Sequence, residues 1–394
     1  MSVIPAIQDA FLLLRDDRII DYGKMEDCPE SQGTIIDARG KLVMPAFCDS
    51  HTHLVFAGSR EQEYIDKIHG LSYEEIARHG GGINNSAKLL RYTSEEDLYQ
   101  QSLCRIHEII SFGTGAVEIK SGYGLDVESE IKMLRVIRRL KETTPLTIRA
   151  TFLGAHSVPL EYRGRQNDYV DKVIKEMLPR IAGEGLADFV DVFCDRGFFT
   201  VGETDRILQA AANYGLRPKI HANELDFSGG IQVGVKNKAL SVDHLEFTGE
   251  EEIEVLRDSG TMPTLLPGAA FFLGMNWPPA RKMIDSGLPL ALASDFNPGS
   301  SPNGNMKLIM SLACIKLGML PTEALNAVTL NSAYAMGVEK EMGSIDRGKK
   351  ANIIITKKVP SLEFLPYAYG SHLIDLVILN GRMTGDGGRV TGDG

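Results

Sequence analysis

The stretch VMPAFCDSHTHL at residues 43–54 decides how this chain reads: an apolar, strand-like run ending in two histidines one residue apart. Alternate side chains of a strand point the same way, so His51 and His53 project together and can both reach one ion. On its own a His-x-His pair is a weak signal. Its meaning depends on what the rest of the chain places beside it.

Downstream the pattern recurs. GAVEIKSGYG (115–124), LTIRATFLGAH (146–156), DFVDVFCD (188–195), RPKIHANE (217–224), ALSVDHLE (239–246), TMPTLLP (261–267) and LPLALASD (288–295) bring the candidate strands to eight. Between them lie amphipathic stretches such as EEDLYQQSLCRIHEIISFG, ESEIKMLRVIRRLKE, DKVIKEMLPRIAGEG and ETDRILQAAANYG, three of which close on a glycine suited to a helix C-terminus. This alternation is the pattern of βα units around a parallel sheet. Eight units over roughly 290 residues predict an α/β chain folded as a (β/α)8 barrel, with the gap from Leu54 to Glu95 as an oversized first βα loop.

The flanks differ. AFLLLRDDRIIDYG and GTIIDARGKLV before the barrel, and GSIDRGKKANIIIT and HLIDLVILNGR after it, read as short strands joined by turns. Because they bracket the barrel, they predict one small β-sandwich built from residues 1–44 and 338–382 around a barrel of 45–337. The Gly-rich MTGDGGRVTGDG at 383–394 reads as a disordered tail.

The bulk properties agree with a folded globular protein: 394 residues, 43% hydrophobic and 24% charged. A net charge of -10 without a dense Lys/Arg run argues against nucleic acid or an anionic membrane and favours a small-molecule substrate. Five scattered cysteines read as reduced thiols, the start lacks the order of a secretory signal, and no apolar run reaches spanning length, so the expected location is the cytoplasm.

Barrel active sites sit at the C-terminal ends of strands, and here those ends are polar. Strand one ends in His51 and His53, strand two leads into Lys120 and Tyr123, and strand three ends in His156. Strand four ends in Asp195, strand five in His221 and Glu224, strand six in His244 and strand eight in Asp295. His51, His53, His221 and Asp295 together offer three imidazoles and a carboxylate, a set that suits one Zn²⁺ or Fe²⁺. No lysine ends strand four, so a second ion bridged through a carboxylated lysine is not expected. A divalent ion lowers the pKa of coordinated water toward neutrality, which suits hydrolysis of a polarised C–N bond. Proton transfer then falls to His244 and Glu224, with Asp295 both ligand and proton acceptor. On spacing alone Arg60 and Tyr123 read as site residues, with a solvated surface cation and a packed aromatic as the alternatives.

GKLVMPAFCDSHTHLVFAGSREQEY, LSYEEIARHGGGI, GTGAVEIKSGYGL, FLGAHSVP, KIHANEL, SVDHLE, LALASDFNPGSSP and TLNSAYAMG with GSIDRGKKANIII span residues 40–380. With these the chain resembles the amidohydrolase superfamily of metal-dependent hydrolases, and in particular its branch that opens the ring of 4-imidazolone-5-propanoate to N-formimidoyl-L-glutamate in histidine degradation. The resemblance implies that Arg60, Tyr73, Tyr123 and His156 contact the substrate, mainly its propionate, and that Glu224 bonds the ring nitrogens. It also implies that Asn297, Gly299 and Ser300 close the far side of the pocket and that the enzyme is a homodimer. Arg60 suits its part, since a guanidinium grips a carboxylate through two parallel hydrogen bonds.

The same metal set would serve a deaminase of a cyclic amidine or nucleobase, but a neutral base leaves Arg60 without a task. A catalytically silent metal-binding scaffold on the same barrel is the third reading, and the proton-handling residues at the rim speak against it. Two departures stand out. Family members usually carry a further sandwich strand before the first matching segment, and their Ala-Asp near the C-terminal strand is Ala351-Asn352 here.

Overall fold

The computed structural model describes residues 1, 4–30, 33–71 and 81–384. Near the N-terminus β1 (Ala10–Arg15) and β2 (Arg18–Lys24) form an antiparallel hairpin. The 43–54 run, expected as one strand, divides between two sheets: β3 (Lys41–Pro45) joins an antiparallel sheet, and β4 (Phe47–Thr52) opens the barrel. Pro45 has no N–H to continue the ladder. At the crossing, Ala46 N–H donates to Asn352 O at 2.9 Å and Phe47 N–H to Gly113 O at 3.0 Å, so the backbone changes partners there.

The barrel continues through β5 (Thr114–Lys120), β6 (Thr147–Ala155), β7 (Phe189–Cys194), β8 (Arg217–Ala222), β9 (Ser241–His244), β10 (Met262–Leu265) and β11 (Ala291–Leu292). These eight strands pair in parallel and in chain order, as the sequence predicts for a (β/α)8 barrel. The last strand is shorter than LPLALASD suggests, because Asp49 captures Ser294 N–H at 3.0 Å with its carboxylate and ends the ladder early. The seam closes through Asp295 N–H to His51 O and His53 N–H to Phe296 O, each 3.0 Å. Closure therefore sets the eighth strand's aspartate against the first strand's histidines.

The helices form where the spacing places them. Ser94 caps Glu95–Ser111, Asp126 caps Val127–Thr143, and Thr200 with Glu203 builds a capping box on Val201–Ala212. The stretch DKVIKEMLPRIAGEG is not a uniform helix: α-helix over Gln166–Lys172 gives way to a π turn at Val173–Met177 before Leu178–Gly183. Pro179 explains the break, since its ring obstructs the regular i→i−4 bond of the preceding turn.

After the barrel, β12 (Ile353–Lys358), β13 (Ile374–Leu379) and β14 (Arg382–Met383) complete a four-stranded sheet in the order β14-β13-β12-β3. Ile19 of the hairpin is buried against Ala351, Ile353, Ile355 and Ile378, which packs the hairpin onto that sheet. The segment GTIID, expected as strand, forms none, and its Ile35 is exposed. Asn352 accepts Asn380 N–H at 2.6 Å. Met383, at the head of the Gly-rich tail, pairs with Ile378; residues 385–394 lie outside the described residues.

Candidate active site

Strand alternation turns a second set of side chains into the barrel, and they are charged. Glu118, Lys120, Asp191, Lys219 and Asp243 are all fully buried. Lys120 Nζ donates to Glu118 at 2.6 Å and to Asp191 at 2.8 Å, and Lys219 also contacts Glu118. Buried ions persist when paired and hydrogen-bonded in this way.

Directly above this layer the Nε2 atoms of His51 and His221 lie 3.1 Å apart, and those of His221 and His53 3.3 Å apart. Asp295 Oδ1 is 3.7 Å from His51 Nε2 and 3.6 Å from His53 Nε2. The three predicted histidines therefore converge, and Asp295 joins them through His51 and His53. The far ring nitrogens of two are engaged by carboxylates: His51 Nδ1 sits 2.6 Å from Asp243 Oδ2, and His221 Nδ1 3.0 Å from Asp191 Oδ2. Carboxylates accept, so the protons sit on Nδ1 and the Nε2 lone pairs face one another. Burial also holds His51 and His53 well below the usual imidazole pKa, in the neutral form a cation needs. Neutral imidazoles locked by carboxylates fit a divalent ion.

His244 and Glu224 flank the cluster. His244 Nε2 lies 3.5 Å from Glu224 Oε2, and both residues are buried. Burial opposes charge on His244, but the carboxylates of Glu224, Glu246 and Asp295 outweigh it and raise its pKa. Burial likewise raises the Glu224 carboxyl. Asp195, at the end of β7, does not face the cluster with them. Its carboxylate accepts the N–H groups of Glu224 and Leu225 at 2.7 and 2.9 Å and so fixes the loop that carries Glu224. Backbone strain concentrates here: Asn223, His244, Leu245 and Asp295 all have positive φ, 54°, 85°, 71° and 53°.

The remaining predicted residues fall in three places. His156 stacks on His53 with ring centroids 5.2 Å apart, and its Nδ1 donates to Gly122 O at 3.1 Å. Tyr123 is buried 5.9 Å from the His53 ring and 5.6 Å from that of His156. Arg60, expected to grip the substrate propionate, is paired with Glu63, its Nε donating at 2.8 Å. Its guanidinium packs against Gly299, where a side chain would meet Cζ at 2.8 Å. Asn297 turns inward on its own loop, accepting from Gly299 and Ser300 N–H at 2.7 and 2.8 Å, while Ser300 Oγ donates to Asp295 Oδ2 at 3.1 Å. Tyr73 lies outside the described residues.

Sequence reading missed Asp191, Asp243 and Glu63. For the first two a signal existed, since each is an acid at an inward position of a barrel strand, Asp191 in the otherwise apolar FVDVFC and Asp243 in SVDH. Glu63 carried none beyond its i+3 spacing from Arg60.

A parallel barrel with a three-histidine cluster at its strand ends defines a metal-dependent hydrolase, and the chain belongs to the amidohydrolase family, whose model matches residues 42–384. Solved structures share the fold: 5-methylcytosine deaminase from Klebsiella pneumoniae liganded with phosphonocytosine has a TM-score of 0.74 at 19% identity over 94% of this chain and 93% of that one. An adenosine deaminase from Xanthomonas campestris with bound zinc has a TM-score of 0.68 at 16% identity over 98% and 91%. Much greater similarity joins the chain to the imidazolonepropionases within that family. The Flavobacterium johnsoniae protein is 56% identical over 97% of this chain and 93% of its own length, and the Geobacillus kaustophilus protein 46% identical over 99% and 93%. Among the described residues no helix is long and apolar enough to cross a membrane.

Proposed function

We propose that this chain hydrolyses 4-imidazolone-5-propanoate to N-formimidoyl-L-glutamate, with one Zn²⁺ or Fe²⁺ held by His51, His53, His221 and Asp295. The observation that carries the reading is the convergence of three histidine nitrogens, with Asp295 beside two of them, next to the buried His244–Glu224 pair. When bound, the ion supplies Lewis-acid polarisation and acidifies water for attack on the ring carbonyl. Asp295 takes the proton of the attacking water, and His244 donates toward the oxyanion that develops. Glu224, raised by burial toward the protonated form, delivers a proton to the leaving ring nitrogen, so the C–N bond breaks and the ring opens.

Arg60 grips the substrate propionate beside Gly299, held in place by Glu63. Tyr123, His156 and Tyr73 line the same side, and Asn297, Gly299 and Ser300 shape the loop opposite. A nucleobase deaminase shares the fold, but the highly identical relatives are named for the other reaction. We place the enzyme in the cytoplasm as a homodimer; five free cysteines support the first and family resemblance the second. Loss of the imidazolone chromophore, followed in the ultraviolet with purified protein, tests the reading: turnover should stop on chelation and return with Zn²⁺ or Fe²⁺. Absence of chelator-sensitive loss would remove this substrate.

A further inference from the structure

Strand β9 ends with His244 and Leu245 both in the left-handed region, at φ 85° and 71°. Two consecutive non-glycine residues rarely adopt that conformation. The turn they make leaves Glu246 behind the His244 ring, its Oε2 3.8 Å from Nδ1. The Glu246 side chain has no exposure. Neither of its oxygens has a hydrogen-bond partner among the described residues, and His244 Nδ1 has none either. An acceptor and a donor, both buried and both unmatched, thus face each other across the side of the imidazole remote from Glu224.

A buried carboxylate without a hydrogen bond weighs against folding, and the charged neighbour it faces is the His244 imidazole. We propose that Glu246 is a positioning residue for His244, engaging Nδ1 so that Nε2 is aimed at Glu224 and the reacting carbonyl. A carboxylate behind an imidazole fixes its tautomer and orientation and stabilises its cation, as in hydrolases that use a Ser-His-Asp triad. Hydrogen bonds of this kind are often long before substrate binds and tighten in the complex. Glu224 Oε2, at 3.5 Å from Nε2, and Glu246 then bracket one ring from both sides.

The proposal rests on His244 handling the proton in the reaction above, and a double-mutant cycle on the metal-loaded enzyme separates the two. Glu246→Gln should lower kcat about 10- to 100-fold with KM and metal stoichiometry unchanged. It should leave Tm unchanged or higher, because the amide removes a buried acid. In the His244→Ala background it should lower kcat no further. If Glu246→Gln does not fold, Glu246→Asp serves instead, and its kcat should fall in the same way, with no further loss beside His244→Ala. Wild-type kcat in the Glu246 variant, a lowered Tm with loss of metal, or additive losses in the double variant would each overturn the proposal. A wild-type rate in His244→Ala would instead sink the role of His244 itself.

Discussion

His51 and Asp243 meet at 2.6 Å between Nδ1 and Oδ2 with both side chains completely buried, directly under the convergent histidine nitrogens. Such a contact sets which imidazole nitrogen carries the proton. Asp243→Asn should therefore weaken metal binding about 10- to 100-fold, measured by competition with a chromogenic chelator. Unchanged affinity would mean that the bond is structural only.

Gly299 leaves room for one group, the Arg60 guanidinium. Gly299→Ala should push that guanidinium aside and raise KM about tenfold or more, approaching the effect of Arg60→Ala, because charged hydrogen bonds of this kind contribute roughly 1.5–3 kcal/mol. Metal affinity should not move. Since the obstructed atoms belong to the end of a flexible side chain, Tm should change little, and a KM equal to wild type in Arg60→Ala would refute the clamp.

Glu224 stands beside His244 with its carboxyl raised by burial. Glu224→Gln keeps the shape and removes the proton, so kcat should fall about 10²- to 10⁴-fold with metal content intact. Turnover near wild type would leave the leaving nitrogen to another donor.

Glu130 is a buried carboxylate on the helix Val127–Thr143 that accepts Gly122, Gly124 and Leu125 N–H at 3.0, 2.7 and 3.0 Å, pinning the loop that carries Tyr123. Burial pushes it up to about 7 despite those three donors. A folded-state pKa above the unfolded value means that the unfolded chain loses this proton first as pH rises. Stability from this group is therefore present below the unfolded pKa and declines as pH climbs through about 7. Relative to Glu130→Gln, the wild-type Tm should drop between about pH 5 and pH 7.5; a relative Tm that climbs over that range would show the three N–H bonds prevailing.

How much of this was legible in the chain depends on whether a residue's neighbours are local. The eight strands, the capped helices and the glycines at 113, 185 and 215, all of positive φ, follow from spacing and from what a glycine permits. His51 and His53 follow from period two within one strand. The division of 43–54 between two sheets was not legible, because it depends on Asn352 and Gly113, far away in the chain. Nor was the π turn before Pro179, where one proline overrides an otherwise regular amphipathic pattern.

By itself the sequence determined the barrel, the rim histidines and the acids and bases available there, since periodicity and residue chemistry are properties of short segments. Only the tertiary structure decided the rest. Closing β11 onto β4 brought Asp295 to His51 and His53 across more than two hundred residues, and parallel pairing placed Asp191 and Asp243 behind the imidazoles. It also showed Arg60 held by Glu63 and Glu246 behind His244 without a hydrogen bond. These are distances between segments remote in the chain, and no local pattern encodes them until the sheet closes.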